Sequence, residues 1–294
     1  MMTDRRVVVL FIALAGLVTF LVQAQELDFD SVEISTTDLG NGLYMLQGIG
    51  GNIGVSVGDD GMFLVDDEFA ALSPKVLAAL AAISDRPARF VINTHWHGDH
   101  TGGNPALEQA GAIIVAHDNV RTRLATGNAR QPATTTLPVI TFSSSATFHF
   151  NGHEIHLSHP LAAHTDGDAL VHFRDADVIH TGDVFFNGVY PFIDLDSGGS
   201  LDGYLAALEN LAALAGPDTK IIPGHGGLAG RADVIRKIAM LEDAQARIGA
   251  LIAAGKSLEE IKAARPLATY DADWEWIFID GAFMTEIIYN GLTK

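Results

Sequence analysis

The chain contains no cysteine. Disulfides, thiolate metal sites, cysteine nucleophiles and a lipidated N-terminal cysteine are therefore excluded, and any bound metal has only His, Asp and Glu to hold it. Positive charge is scarce as well: 18 Lys+Arg stand against 36 Asp+Glu, a formal net charge of −18. Such a field offers no footprint for a phosphate backbone, so no nucleic-acid partner is expected. Charged residues make up only 18% of the chain and hydrophobic ones 48%, which excludes disorder as the general state. No Pro/Ser-rich linker divides the sequence, and 294 residues suffice for one large α/β domain.

One long hydrophobic run is present. Val7 to Val22 is uncharged over 16 residues, follows Arg5 and Arg6, and ends in Val22-Gln23-Ala24, a small-x-small cleavage pattern. A helix of that length reaches about 24 Å, short of the roughly 30 Å hydrocarbon core. Residues 1–24 are thus expected to be a cleaved export signal that leaves no stable membrane anchor. Residues 25–294 would then form the mature domain, in the bacterial periplasm or outside the cell.

The body alternates strand and helix signals. Leu43–Gln47, Ile53–Val57, Met62–Val65, Phe90–Ile92 and Ala112–Val115 read as strands, and Phe148–Leu157 as a hairpin around Asn151-Gly152. Ala169–Phe173 and Val178–Ile179 form another strand pair, and Ile221-Ile222 a short buried strand. Ser73 and Pro74 look like the cap and first residue of a helix, and a further short helix is expected from Asn119. Ser200 caps a helix with Leu201, Leu205, Leu208 and Leu214 on one stripe. A long helix from about Ala232 to Ala254 presents Val234, Ile238, Leu241, Ile248 and Ile252. Ser257-Leu258-Glu259-Glu260 is a capping-box start for a last short helix. The pattern is an α/β sandwich with two pseudo-duplicated halves.

The chemistry concentrates in Thr94-His95-Trp96-His97-Gly98-Asp99-His100, directly after a hydrophobic strand. Extended geometry aims His95 and His97 to one side. A turn at Gly98 then presents Asp99 and His100 from another direction. Three imidazoles and a carboxylate in six residues would cost several kcal/mol to bury unpaired. A metal removes that cost, since zinc takes imidazole nitrogen and carboxylate oxygen at about 2.0–2.2 Å. Further donors stand at strand ends with glycine beside them: His164 in Ala163-His164-Thr165-Asp166-Gly167-Asp168, Asp183 in Thr181-Gly182-Asp183, and His225 in Pro223-Gly224-His225-Gly226.

This ordered set, H-x-H-x-D-H, A-H-T-D-G-D, T-G-D and P-G-H-G, resembles the metallo-β-lactamase superfamily of dinuclear zinc hydrolases, from about Leu43 to Ala254. The resemblance implies an αββα fold and two zinc ions per chain. His95, His97 and His164 would bind the first, Asp99, His100 and His225 the second, and Asp183 would bridge them. It also implies a bridging hydroxide that attacks a substrate carbonyl, with Asp99 handling the proton of the leaving group. The substrate is then a small molecule with a hydrolysable acyl bond, and a β-lactam is favoured. Against the secreted class B β-lactamases, Asp183 replaces a Cys ligand, His100 an Arg, and Phe186 a substrate-gripping Lys. The Asp matches thioesterase-like members and the His follows the wider superfamily, so a thioesterase or lactonase is the alternative activity. An iron oxygenase and a non-catalytic zinc-binding protein are the remaining readings.

Other polar and aromatic residues receive plainer expectations. His149, His153, His156 and His159 alternate along the hairpin and read as solvated or hydrogen-bonded, as do His117, His172 and His180. Asp66, at the end of a strand, is a candidate partner for the outer nitrogen of a ligand histidine. Trp96 either packs or walls the cleft. Phe185 and Phe186 would pack a substrate body. Trp274, Trp276, Phe278, Phe283 and Tyr289 read as core, and Tyr190, Phe192 and Asn187 as substrate-side loop residues.

Overall fold

A computed structural model of the chain describes residues 28–129 and 131–293. The expected export signal, residues 1–24, lies outside the described residues. The chain divides into two compact units, residues 1–31 and 32–294. In the described part of the first, the Ser31 N–H donates to the Asp28 carbonyl at 3.3 Å, closing a turn. All described strands and helices lie in the second.

The strands form two sheets in chain order. The first contains β1 (Ser35–Gly40), β2 (Leu43–Gln47), β3 (Ile53–Gly58), β4 (Gly61–Val65), β5 (Ala88–Asn93), β6 (Ile113–His117) and β7 (Ile140–Phe142), paired in that order. The second contains β8 (Ser145–Phe150), β9 (His153–Ser158), β10 (Leu170–Phe173), β11 (Val178–His180) and β12 (Lys220–Ile222). Each sheet opens as an antiparallel meander and ends in parallel pairing after a helical crossover. That repeated plan is the two-half organisation expected from the sequence. The crossovers are α1 (Ser73–Ile83), between β4 and β5, and a longer helix between β11 and β12. The remaining helices of the first half are α2 (Gly98–Thr101), α3 (Asn104–Gln109) and α4 (Asp118–Thr126); those of the second are the crossover α5 (Leu201–Leu214), α6 (Arg231–Ala253), α7 (Leu258–Ala264), α8 (Asp271–Trp274) and α9 (Gly281–Thr293).

Burial assigns the layers. β4 is buried along its whole length, and its period of two sends Met62 and Leu64 one way, Phe63 and Val65 the other. Met62 and Leu64 join Val76 and Leu80 of α1 and Leu107 of α3 on the outer face. Phe63 and Val65 meet Ile155, Leu157, Val171, Phe173 and Ile222 of the second sheet. The outer face of that sheet, through Ile179 and Ile221, packs on Tyr204 and Leu208 of α5, Val234 and Leu241 of α6, and Ile288 of α9. The fold is therefore an αββα sandwich. Between the sheets Phe63 contacts Phe90, Phe148, Phe150 and Phe173 at ring separations of 5.3–6.2 Å. Such pairs add about 0.5–1.5 kcal/mol each beyond area burial.

Several expectations are corrected. Ser73 is the first residue of α1, not its cap, and α7 is followed by two more helices. Leu214 is half exposed, and Leu211 takes its place on the buried stripe of α5, where 3.6-residue periodicity carries position 214 off the face. The capping box at Ser257 is present: its N–H donates to Glu260 Oε2 at 2.9 Å while its hydroxyl accepts the Glu260 N–H. On α6 the core face includes Lys237, fully buried. Its ammonium donates to the Val189 carbonyl and lies 4.3 Å from the Trp274 ring centre, so burial, followed by the charge of Arg236, holds its pKa well below the usual lysine range.

Candidate metal centre

β5 ends at Asn93, and the next seven residues turn outward into α2. This brings the expected donors into two adjoining groups, His95, His97, His164 and Asp183 in one and Asp99, His100 and His225 in the other. In the first, His97 Nδ1 lies 3.1 Å from His95 Nε2 and 3.0 Å from His164 Nε2. Asp183 Oδ2 closes the group at 3.6 and 3.5 Å from His95 and His164. In the second, His100 Nε2 and His225 Nε2 are 3.4 Å apart, with Asp99 Oδ2 at 3.6 and 3.3 Å from them. The other oxygen of Asp183, Oδ1, faces those same nitrogens at 3.1 and 3.4 Å. One carboxylate thus addresses both groups.

These spacings fit a metal. Donors around a tetrahedral ion with bonds of about 2.0–2.1 Å lie about 3.3–3.4 Å apart. Asp183 Oδ1 is buried and makes no hydrogen bond of acceptable angle, although two imidazole nitrogens stand within reach. An oxygen aimed between nitrogens instead of along an N–H serves a cation.

The outer nitrogens of the rings are held by oxygen. His97 Nε2 meets Asp194 Oδ2 at 2.9 Å, His100 Nδ1 meets Asp66 Oδ2 at 2.7 Å, and His164 Nδ1 meets the Phe192 carbonyl at 2.8 Å. Thr94 Oγ1 donates to Asp66 Oδ2 at 2.8 Å, leaving its lone pair for the His95 Nδ1–H at 3.1 Å. Asp66 therefore steers two rings, one directly and one through Thr94, as the sequence suggested for it. Each such bond fixes a tautomer whose lone pair points inward. Asp194 was not anticipated. Its only local mark is a turn in which it accepts the Ser197 N–H at 3.2 Å.

Burial presses the His95 pKa down, with the charge of His100 adding to it, and lowers His164 to about 4. Both are neutral donors at neutral pH. For His100 and His225 burial acts in the same direction, but Asp183 and Asp99 outweigh it; His225 is raised to about 9 and His100 well above its ordinary value. Conversely, burial of Asp99 is overcome by His100 and His225, which hold it at about 2.

Backbone supports the cluster. Gly182 has φ +48°, and a Cβ there would stand 2.3 Å from Thr94 Oγ1; one on Gly224 would stand 2.0 Å from Asp183 Oδ1. These glycines let the Asp183 and His225 loops close on the centre. Gly98, by contrast, has no positive φ and meets only Gln131 at 3.6 Å, so the turn there does not demand glycine. Asn52 Nδ2 donates to the carbonyls of Pro223 and Gly226 at 2.8 and 2.9 Å, clamping the loop of His225. Asp66, Asp67 and Glu68 are three consecutive buried acids. Asp66 Oδ1 accepts from Thr94 N, Asp67 from Gly103 N and Glu68 from Gly50 N, so each anchors a different loop.

A cavity of about 480 Å³ opens onto the two groups. Trp96, Phe186, Phe192 and Asp99 line it. Trp276, Phe278 and Phe283 line it too, correcting their expected place in the core; Phe278 and Phe283 are 39% and 38% exposed. Trp274 is buried in the core, and Tyr289 packs against it. Phe185 also belongs to the core and not to the cavity, because alternation turns it away from Phe186. Phe186 stacks on His225 at 5.1 Å. Asn187 is absent from the lining and donates to the Gly227 carbonyl.

Tyr190 is buried, not substrate-side, and its hydroxyl donates to Asp271 Oδ1 at 3.2 Å. Tyr190→Phe is expected to cost about 1 kcal/mol in urea unfolding and to leave kcat/KM within about twofold. The hairpin histidines behave as expected: His153, His156 and His159 meet Asn41, Thr147 and Asp168 oxygens, and His149 is exposed. His117 meets the Ser143 carbonyl, and His180 accepts the Gly182 N–H, bracing the Asp183 turn.

Comparisons with known proteins agree with this architecture. A metallo-beta-lactamase from Pontibacter korlensis superposes with a TM-score of 0.60 at 16% identity, over 72% of this chain and 100% of its own. The DIM-1 metallo-beta-lactamase superposes with a TM-score of 0.60 at 17% identity, over 72% of this chain and 99% of its own. At those identities the likeness is one of fold. A hydroxyacylglutathione hydrolase of Polaromonas sp. (strain JS666 / ATCC BAA-500) is 31% identical over 137 residues, 46% of this chain and 47% of that protein. The match therefore spans about half of that relative. The family model for the metallo-beta-lactamase superfamily matches residues 50–225, a stretch that contains all seven converging donors, and the chain belongs to that superfamily.

Proposed function

We propose that the protein is an exported hydrolase of acyl bonds that works with two zinc ions, held as the sequence suggested: His95, His97 and His164 for one, Asp99, His100 and His225 for the other, and Asp183 between them. The observation that carries this reading is Asp183, whose two oxygens face two separate nitrogen groups. When bound, such an ion pair lowers the pKa of water towards neutrality and polarises the substrate carbonyl. The chain's own part is orientation and proton handling. Asp66, Thr94, Asp194 and the Phe192 carbonyl hold the rings in register. Asp99, which lines the cavity, accepts the proton of the attacking water and returns it to the leaving group.

Thioester or lactone hydrolysis suits this site better than β-lactam hydrolysis. The lysine position expected to grip a β-lactam carboxylate carries Phe186, stacked on His225. The partial relative named for hydroxyacylglutathione hydrolysis supports the same choice. The test is to count metals in the purified mature chain, then assay thioesters, lactones and β-lactams with and without chelator. About two zincs and chelator-sensitive thioester or lactone turnover are expected. One iron per chain, or no acyl-bond hydrolysis at full zinc loading, overturns the proposal.

Zinc uptake should also displace protons. His225 keeps its proton up to about pH 9 in the metal-free chain and His100 does so higher than usual, so at pH 7 loading is expected to release about two imidazole protons. Calorimetry in buffers of different ionisation enthalpy reads that number, and affinity should fall as pH is lowered. A pH-independent uptake would contradict the assignment of these two rings.

A further inference from the structure

We propose that the cavity selects acyl substrates whose body is uncharged and apolar, above all aromatic, and that Trp276, Phe278 and Phe283 make that selection. This rests on the acyl-hydrolase reading of the same site. Three observations support it. First, no Lys or Arg occurs among the described residues lining the cavity, and three carboxylates, Asp99, Asp183 and Asp194, do. Among the described residues, a substrate carrying carboxylates away from the reacting carbonyl meets no lining Lys or Arg, and it must approach a chain of net charge −18.

Second, the wall is anchored at Trp276 and adjoins the reacting end. The Trp276 indole N–H donates to the Tyr190 carbonyl at 3.0 Å, and its ring lies 5.1 Å from His225 and 4.9 Å from Phe278. On the opposite side Phe192 lies 6.0 Å from His97 and 6.2 Å from Phe283. Aromatic rings in tilted and edge-on contact thus adjoin both metal-facing groups and present an apolar surface. Third, Phe278 and Phe283 keep over a third of their surface in contact with solvent. That apolar area is covered when an apolar body enters. A cavity of about 480 Å³ holds a small aromatic acyl group and its leaving group.

The experiment compares thioesters of one thiol, N-acetylcysteamine, that differ only in the acyl body: phenylacetyl against succinyl. Wild-type zinc-loaded protein is expected to favour phenylacetyl by about tenfold or more in kcat/KM. Trp276→Ala and Phe283→Ala should each pull that ratio towards unity, mainly through KM. Phe283→Lys, which supplies the missing cation on an exposed side chain, should raise succinyl turnover. Binding of the neutral, unreactive phenylacetamide, followed by indole fluorescence, provides a readout without chemistry and should weaken in both alanine variants. Preference for succinyl, or ratios and binding unchanged in the variants, overturns the selection. Saturable, wall-dependent phenylacetamide binding with no turnover of any thioester, lactone or β-lactam at full zinc loading supports the selection and refutes the hydrolase reading, so the two fail separately.

Discussion

Asp183→Ala is expected to lower kcat/KM by on the order of a thousandfold or more and to bring zinc content from about two per chain to one or fewer. Loss of one histidine removes a donor from one group, whereas loss of Asp183 removes one from each, because Oδ2 faces His95 and His164 while Oδ1 faces His100 and His225. The metal-free chain is affected as well. Burial tends to raise the Asp183 pKa, but the charges of His100 and His225 hold it well below the carboxylate range, so the buried group is an anion among protonated rings. Without it His225 faces Asp99, and His100 faces Asp99 and Asp66, so both rings are expected to give up protons at lower pH. Kinetics and metal analysis on the same preparation check both statements. Near wild-type turnover in Asp183→Ala would remove the basis for a shared bridging carboxylate.

Asp66→Asn comes next in expected effect, although Asp66 is not one of the proposed metal ligands. The carboxylate is fully buried and takes three donors, the Thr94 N–H and hydroxyl and His100 Nδ1. An amide cannot accept from His100 and Thr94 at once without presenting a donor to one of them. Breaking such a buried charged contact costs about 3–5 kcal/mol, and losing the support of a ligand ring lowers metal affinity about 10–100-fold. Denaturant unfolding of the metal-free chain reads the first quantity and competitive zinc titration the second. If stability falls and zinc affinity does not, Asp66 is a folding residue only.

The donors themselves were legible in the sequence because metal binding places strict demands on residue type within short segments: four of the seven lie between 95 and 100, and Asp183 and His225 each stand directly beside a glycine. Asp66 was legible for a related reason, as an acid at the end of a buried strand. Asp194 was not: it supports His97 from 97 positions away, and no local pattern marks that pairing. Aromatic residues near the C-terminus misled in another way. A cavity wall and a core have the same composition, and only the three-dimensional placement separates Trp274, packed under α6, from Trp276, two residues on and facing the centre. Phe185 and Phe186 divide by the same alternation. Lys237 shows the converse: a basic residue on the buried face of α6, whose nitrogen donates to a carbonyl beside an indole ring while burial disfavours its charged form.

The seven converging donors end at His225, while the three residues proposed to select the substrate, Trp276, Phe278 and Phe283, come after the long α6 and beyond the stretch shared with the superfamily. Reactivity and discrimination are thus written on separate parts of the chain. Phe278 and Phe283, exposed and remote in sequence from the donors, can be exchanged, by drift or by grafting, while Trp274, buried, and Trp276, beside His225, stay in place, and one hydrolytic engine can be refitted to new molecules by editing its far end.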